Sequence, residues 1–201
     1  MVKAITFDLD GVYFPNGKAN FIKALNNLGV SEDEANRVFL KSDEMNKLYK
    51  MGKMTDEDFW SWANKEWRLT KTPQELMDLL INGYNVDEKV AKTVRQVRKN
   101  GYKTLICSSN FPARINGLQK KFGFLDDFDV AVLSYQVGEN KPSNKIFGEL
   151  ISKAEVKPEE IVFADDHEPN VLFAKDMGIT AFVYEGFDKF IEQLKNLGVK
   201  I

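Results

Sequence analysis

Residues 2–11 read VKAITFDLDG, a short apolar run that ends in two aspartates and a glycine. The run from Val2 to Phe7 has the length and composition of a buried strand. Asp8 and Asp10 follow it two residues apart, and residues at this spacing in extended backbone point to the same side. The two carboxyl groups are therefore predicted to enter one space at the carboxyl end of the strand, where ligands bind in open α/β sheets. On this segment alone, a simple turn built from Asp and Gly is the alternative.

Four further apolar runs resemble strands, and after Tyr84 they alternate with amphipathic helical stretches. The predicted strands are Val2–Phe7, Lys103–Cys107, Asp129–Leu133, Ile161–Ala164 and Thr180–Val183. Strands that alternate with helices in this way are typical of a parallel sheet flanked by helices. The sequence therefore predicts an α/β fold.

The interval between the first two predicted strands is nearly a hundred residues long, far more than one helix and its loops require. Helix-capping signals within it begin at Ser31, Thr55 and Thr72. We therefore predict a helical cap subdomain at residues 15–86, inserted into a core made of residues 1–14 and 87–201. Apolar residues of the cap, including Trp60 and Trp67, recur at helical spacing. This spacing predicts a buried cap core, with a lining that stacks on substrate as the alternative.

The composition excludes several classes of protein. Hydrophobic residues make up 43% of the chain, but no run approaches the roughly 18 apolar residues of a membrane-spanning helix. The net charge of −2, with acids and lysines mixed, provides no strong field for nucleic acid or an anionic membrane. No signal-peptide pattern occurs near the N-terminus, and the single Cys107 is predicted to be a buried structural thiol. We expect a cytoplasmic monomer or weak homodimer whose partner is a small molecule.

Polar side chains follow the other predicted strands as well. Ser109 and Asn110 come after the second, Lys141 follows the third, and Asp165 and Asp166 follow the fourth. Hydroxyl, amide and helix N-terminal N–H groups bind anions, and a helix is predicted to begin at Pro112. The order of acid pair, Ser-Asn, lysine and acid pair predicts one polar site at one edge of the sheet.

These segments resemble the four motifs of the haloacid dehalogenase (HAD) superfamily. The matching residues are Asp8-Leu9-Asp10-Gly11-Val12, Ser109-Asn110, Lys141-Pro142, and Ala164-Asp165-Asp166 through Asn170-Val171. The inserted helices are similar to the C1-type helical cap of subfamily I, and residues 52–60 resemble a recurrent segment of that cap. The part from Val132 to Gly178 is similar to sugar-phosphate phosphatases and to the N-terminal phosphatase domain of soluble epoxide hydrolases. The resemblance implies a three-layer, Rossmann-like parallel-sheet core with an inserted helical cap.

The resemblance also implies an activity, namely Mg²⁺-dependent hydrolysis of a small phosphorylated metabolite such as a sugar phosphate. Asp8 would be the nucleophile that forms an aspartyl-phosphate, and Asp10 would be its acid/base partner. Mg²⁺ would be held by the carboxylates of Asp8 and Asp166 and by the backbone carbonyl of Asp10. Lys141, Ser109 and Asn110 would bind the phosphoryl oxygens. Crowding by other acids is expected to raise the pKa of Asp10.

Three residues near the last motif are predicted to play supporting roles. Asp165 lies where many family members carry glycine, and we expect it to contact the metal ligands or to play a structural role, with direct binding of the ion as the alternative. Asn170 matches a position that is often acidic in the family and is expected to hold at most a metal-bound water. His167, the only histidine, is expected to be a loop residue, with a substrate contact or a pH modulator as the alternative.

Other functions fit parts of the pattern. A phosphomutase of the same family would retain every motif and differ only in the fate of its phosphorylated intermediate. A dehalogenase needs neither an acid at position 10 nor a metal, so Asp10 argues against it. A binding protein on the same fold would usually have lost the nucleophile or the lysine, and this chain keeps Asp8 and Lys141.

Overall fold

A five-stranded parallel sheet forms the centre of the computed structural model, which describes all residues 1–201. The strands are β1 Ala4–Phe7, β2 Lys103–Ser108, β3 Val130–Leu133, β4 Ile161–Asp165 and β5 Thr180–Val183. They are arranged in the order β3-β2-β1-β4-β5, and every neighbouring pair is parallel. The predicted α/β class is therefore confirmed. Because β1 lies in the middle, the ends of β2 and β4 flank the residues that follow it.

Ten α-helices accompany the sheet. They are α1 Gly17–Asn27, α2 Glu32–Asn36, α3 Asp56–Glu66, α4 Pro73–Asn82, α5 Glu88–Lys99, α6 Pro112–Phe122, α7 Ser134–Val137, α8 Asn144–Ala154, α9 Glu168–Asp176 and α10 Phe187–Asn196. Arg37–Lys41 and Glu44–Tyr49 are π-helical, and Phe124–Asp127 and Pro158–Glu160 are short 3₁₀ turns. None of the helices combines the length and apolar character that crossing a bilayer requires.

Alternate residues of each strand enter different apolar clusters, as the two-residue period of a strand requires. In β1, Ile5 and Phe7 pack with helices α5, α6 and α10, whereas Ala4 packs with α8 and α9. Helices thus cover both faces of the sheet. Cys107 lies in the second cluster, and burial raises the pKa of its thiol to about 12. The prediction of a buried structural thiol is confirmed.

The three predicted capping residues begin helices as expected. The hydroxyl oxygens of Ser31, Thr55 and Thr72 each accept a hydrogen bond from the backbone N–H three residues later, which caps α2, α3 and α4. At α4 the Glu75 carboxylate also accepts from the Thr72 N–H at 2.8 Å, completing a capping box. These local bonds satisfy N–H groups that the helix itself cannot pair.

The helices between β1 and β2 share one apolar cluster with the sheet. This cluster contains 39 buried residues, among them Phe7 of β1, Trp60 of α3 and Leu80 of α4. The cap aromatics Phe59, Trp60 and Trp67 are all buried in it, which confirms the interpretation of their spacing as core packing. The division into a cap at residues 15–86 and a core stays a prediction, because the apolar packing runs across that boundary.

Two helical glycines give a matched test of the packing of α4 against α6. A Cβ added at Gly117 in α6 would lie 2.5 Å from Cγ1 of Ile81, whereas a Cβ at Gly148 in α8 would meet nothing within 4 Å. Isoleucine in a helix has one strongly preferred χ1 rotamer, so Ile81 cannot move aside freely. We expect Gly148→Ala to raise the free energy of unfolding by about 0.5–1 kcal/mol. We expect Gly117→Ala to lower it by about 1–3 kcal/mol.

Urea unfolding of both variants measures the difference. Equal stability of Gly117→Ala and Gly148→Ala would contradict the close contact between the two helices.

Candidate active site

The predicted acids and the predicted lysine meet beyond the carboxyl end of β1. Carboxylate oxygens of Asp8, Asp165 and Asp166 all lie within 4.8 Å of one another. The Lys141 ammonium lies 3.0 Å from Oδ1 of Asp8 and donates a short hydrogen bond to Oδ2 of Asp165. The structure therefore brings together four residues that are up to 158 positions apart in the sequence.

The electrostatics of this cluster are dominated by buried negative charge. Asp8 is only 7% exposed, and burial is the main reason why its pKa is raised to about 6; the charges of Asp165 and Asp10 add to this, while Lys141 opposes it. The pKa of Asp166 is also raised, first by desolvation and then by Asp165. Burial disfavours the charge of Lys141, but Asp8 and Asp165 outweigh it and raise the lysine pKa. Asp8 and Asp165 thus share one fixed cation, Lys141.

The residues of this cluster fit a divalent cation. Oδ1 of Asp8 is buried and, although close to Lys141, accepts no well-directed hydrogen bond. Asp165 is already saturated, because its Oδ1 accepts from the His167 N–H and from Nδ2 of Asn170, both at 2.9 Å, and its Oδ2 accepts from Lys141. Asp8 and Asp166 are therefore the acids left to bind an ion. Carboxylate oxygen is the ligand type that hard cations such as Mg²⁺ prefer.

Gly11 makes room for one of these acids. Its φ of +80° lies in the left-handed region, and a Cβ at this position would be 2.1 Å from Oδ2 of Asp166. Only glycine allows both the turn after Asp10 and the approach of this carboxylate to the backbone.

Asp10 lies in a different electrostatic environment from Asp8. Its Oδ2 is 2.7 Å from Nη1 of Arg114 and 3.2 Å from Nζ of Lys18, and its Oδ1 accepts a hydrogen bond from the Tyr84 hydroxyl at 3.2 Å. Burial raises the pKa of Asp10, but the two cations outweigh it and the net shift is downward. The expectation that crowding by acids would raise this pKa is wrong, because the nearest charged partners of Asp10 are cations.

The Ser-Asn pair after β2 lies beside both groups. Oγ of Ser109 accepts from the backbone N–H of Lys141 at 2.9 Å, which places the hydroxyl next to the lysine. Asn110 is buried, and its Oδ1 accepts from Nε of Arg114 at 2.6 Å and from the Phe111 N–H at 3.0 Å. The amide oxygen of Asn110 is therefore already occupied by hydrogen bonds from residues at the start of α6. Its direct contact with a phosphate stays a prediction.

The residues after β4 occupy supporting positions. His167 is exposed, and it contributes its backbone N–H rather than its ring to the cluster. Asn170 is buried and donates to Asp165, while its Oδ1 has no hydrogen-bond partner. His167 and Asn170 thus both contact Asp165, and a role of the three residues around a metal stays a prediction.

The π-helical segment Glu44–Tyr49 and the following Lys50 pack against the loops that carry Ser109 and Lys141. The hydroxyl of Ser134 donates to the backbone oxygen of Lys50 at 2.6 Å, and Nδ2 of Asn140 donates to the backbone oxygen of Asn46 at 2.6 Å. Lys50 is half-buried, and desolvation, then the charges of Lys18 and Arg114, lower its pKa to about 7. Sequence pattern alone does not single out Lys50, because charged residues on helix faces are usually solvated.

A cavity of about 190 Å³ opens beside the acids. Its lining includes Asp10, Phe14, Pro15, Lys18 and Asp166. A larger surface groove of about 560 Å³ lies between α4 and α6, but none of the predicted site residues lines it. The smaller cavity is therefore the one that a group bound at Asp8 and Asp10 would enter.

Comparison with known proteins agrees with this geometry. A model of the haloacid dehalogenase-like hydrolase family matches residues 2–178. A D-ribitol-5-phosphate phosphatase from Bacteroides thetaiotaomicron is 24% identical over 188 residues, covering 90% of this chain and 91% of that protein. A glyceraldehyde 3-phosphate phosphatase from Methanopyrus kandleri is 27% identical over 183 residues, covering 83% of this chain and 76% of that protein.

Solved structures show the same fold. A HAD family enzyme from Bacteroides thetaiotaomicron, determined in complex with magnesium and inorganic phosphate, has a TM-score of 0.79 and 19% identity, covering 94% of this chain and 99% of that one. Since the family model covers most of the sequence, this chain belongs to the haloacid dehalogenase-like hydrolase family.

Proposed function

We propose that this hydrolase is a Mg²⁺-dependent phosphatase that cleaves a small phosphate monoester, such as a sugar phosphate, through an aspartyl-phosphate. The observation that carries the proposal is the contrast between two acids only two residues apart. Asp8 lies with Lys141 at the acid cluster, and Asp10 lies with Arg114 and Lys18. One site thus offers a nucleophile and a separate acid/base group.

Asp8 is the proposed nucleophile. A pKa of about 6 leaves most of its carboxyl group ionised at neutral pH, so no base is needed to activate it. One Asp8 oxygen attacks phosphorus, and the bond between phosphorus and the leaving oxygen breaks. The ammonium of Lys141, 3.0 Å from Asp8, offsets negative charge that builds up on the phosphoryl oxygens.

Asp10 is the proposed acid/base partner. Arg114 and Lys18 keep it ionised in the free protein, and an arriving phosphate dianion adds the negative charge that favours its protonated form. The protonated carboxyl gives its proton to the leaving alkoxide. In the second step the carboxylate takes a proton from the water that attacks phosphorus, which releases inorganic phosphate and restores Asp8.

A metal ion would offset the negative charge of the proposed complex. The carboxylates of Asp8, Asp165 and Asp166 together carry more negative charge than the single positive charge of Lys141 offsets. A phosphate monoester adds almost two further negative charges. Mg²⁺ would be held by the carboxylates of Asp8 and Asp166 and the backbone carbonyl of Asp10, and when bound it supplies two positive charges next to the phosphoryl group. The magnesium and phosphate complex of the Bacteroides enzyme is consistent with this assignment.

The proposed substrate is a small phosphorylated metabolite. The cavity beside Asp10 measures about 190 Å³, below the roughly 300 Å³ at which sites for drug-sized ligands begin. Two relatives are named for phosphates of short polyols or aldehydes, which supports a leaving group of similar size.

Asp8→Asn tests the nucleophile. An amide cannot attack phosphorus as a carboxylate does, so we expect phosphate release to fall more than about 1000-fold while the fold is kept. The measurement is free phosphate from a panel of phosphorylated metabolites with Mg²⁺, together with thermal unfolding. The control is Asp43→Asn, an exposed acid on the cap, which should behave as the wild type.

Full activity of Asp8→Asn would refute the assignment. With a sugar 1-phosphate as substrate, an isomeric sugar phosphate instead of inorganic phosphate would identify a phosphomutase.

Asp166→Asn tests the metal site independently of turnover. Calorimetric titration of chelator-treated protein with MgCl₂ is expected to show one site. Loss of the Asp166 carboxylate should weaken the Mg²⁺ affinity of this site by about tenfold or more. Asp176→Asn removes an exposed acid at the end of α9 and should leave binding unchanged. Equal Mg²⁺ affinity in Asp166→Asn and wild type would exclude Asp166 as a ligand.

A further inference from the structure

Arg114 is a buried charge that none of the sequence motifs includes, and the proposed mechanism uses only its charge. Its side chain is only 1% exposed, although arginine is almost never fully buried unless it is paired. Removing a guanidinium from water is strongly unfavourable, and its partners must offset this cost. The identity of those partners therefore indicates what the residue does.

The guanidinium connects the residues after β1 with those after β2. Nη1 lies 2.7 Å from Oδ2 of Asp10 and donates to the Tyr84 hydroxyl at 3.1 Å. Nε donates to Oδ1 of Asn110 at 2.6 Å, and Nη2 donates to the backbone oxygen of Ser109 at 3.4 Å. Every nitrogen of the planar guanidinium is thus used, and Asp10 is its only charged partner within salt-bridge distance.

The geometry restricts the Asp10 carboxyl group. Tyr84 accepts from Arg114 and donates to Oδ1 of Asp10, so arginine and tyrosine hold both carboxyl oxygens. The guanidinium itself is fixed by the Phe111 ring, whose centroid is 4.6 Å from Cζ. Lys18, by contrast, contacts Asp10 from the cavity, and its side chain is 40% exposed. Arg114 and Tyr84 are therefore the partners that hold the Asp10 carboxyl group in a fixed orientation.

We propose that Arg114 is a positioning residue that orients the Asp10 carboxyl group for proton transfer to the leaving group. The proposal rests on the proposed phosphatase function and goes beyond it. Arg114 does not touch the reacting atoms; it acts through Asp10. The planar, five-donor guanidinium suits this task, because it fixes a direction that the single ammonium of a lysine does not.

A proton donor matters only when the leaving group needs a proton. An alkoxide leaves with the proton from Asp10, whereas 4-nitrophenolate is stable enough to leave without one. The kcat/KM value reports the steps up to loss of the leaving group, and it excludes the later hydrolysis of the aspartyl-phosphate. A comparison of kcat/KM on two substrates therefore separates loss of the proton donor from general damage to the site.

The experiment compares Arg114→Met, Arg114→Lys, Asp10→Asn and the double variant Asp10→Asn/Arg114→Met. The substrates are 4-nitrophenyl phosphate and the alkyl phosphate that the wild type hydrolyses fastest in the metabolite panel. For Arg114→Met we expect kcat/KM to fall about 100-fold on the alkyl ester and less than about tenfold on the aryl ester. Arg114→Lys should recover only part of the alkyl activity.

The double variant tests whether Arg114 acts through Asp10. In the Asp10→Asn background, Arg114→Met should lower kcat/KM on the alkyl ester by no more than about threefold, since the residue to be oriented no longer carries a proton to transfer. The double variant also removes both buried charges together, which keeps the test available if Arg114→Met alone does not fold. Thermal unfolding monitors the fold, and Arg37→Met, on the cap surface, is the matched control.

Equal losses of kcat/KM on the two esters would overturn the positioning role. It would also be overturned if Arg114→Met lowered kcat/KM on the alkyl ester as much in the Asp10→Asn background as in the wild type. Equal losses would indicate that Arg114 binds the phosphate itself or only maintains the fold. Wild-type protein that hydrolyses neither ester would refute the phosphatase function and this inference with it, and the metal titration would show whether the site itself is intact.

Discussion

The salt bridges of Lys141 hold the site together. Its ammonium lies between Asp8 and Asp165, which are both buried, and it is the one fixed cation that contacts them. Without this charge, two carboxylates in a poorly solvated space would repel each other and take up protons. With it, Asp165 accepts from three donors, and Asp8 keeps one oxygen free of well-directed hydrogen bonds. The lysine therefore favours an ionised carboxylate at Asp8, the proposed nucleophile, where burial alone would neutralise it.

The strands and the acidic edge of the sheet could be predicted from local signals. A strand in a parallel sheet is a short apolar run, and parallel strands bring their carboxyl ends to one edge, so residues that follow separate strands meet in space. This reasoning predicted that Asp8, Lys141 and Asp166 would come together. The strand order needed the structure, because nothing in a single apolar run specifies its neighbours.

The surroundings of Asp10 could not be predicted in the same way. Lys18 comes from α1, Tyr84 from the segment after α4 and Arg114 from α6, so only the packing of three elements brings them to one carboxyl group. The one local signal is the spacing of Asn110 and Arg114, four residues apart at the start of a predicted helix, where side chains can meet. Because the sequence does not show that these cations surround Asp10, the predicted direction of its pKa shift was wrong.

The close approach of Asp166 to Gly11 shows how strongly the proposed cation site depends on backbone shape. A methyl group on residue 11 would occupy the space of a carboxylate oxygen of Asp166. This methyl group carries no charge, and residue 11 lies on a different segment from Asp166. The capacity to hold a divalent ion is therefore set in part by an uncharged residue. A family member could lose its metal while every acidic side chain remained in its sequence.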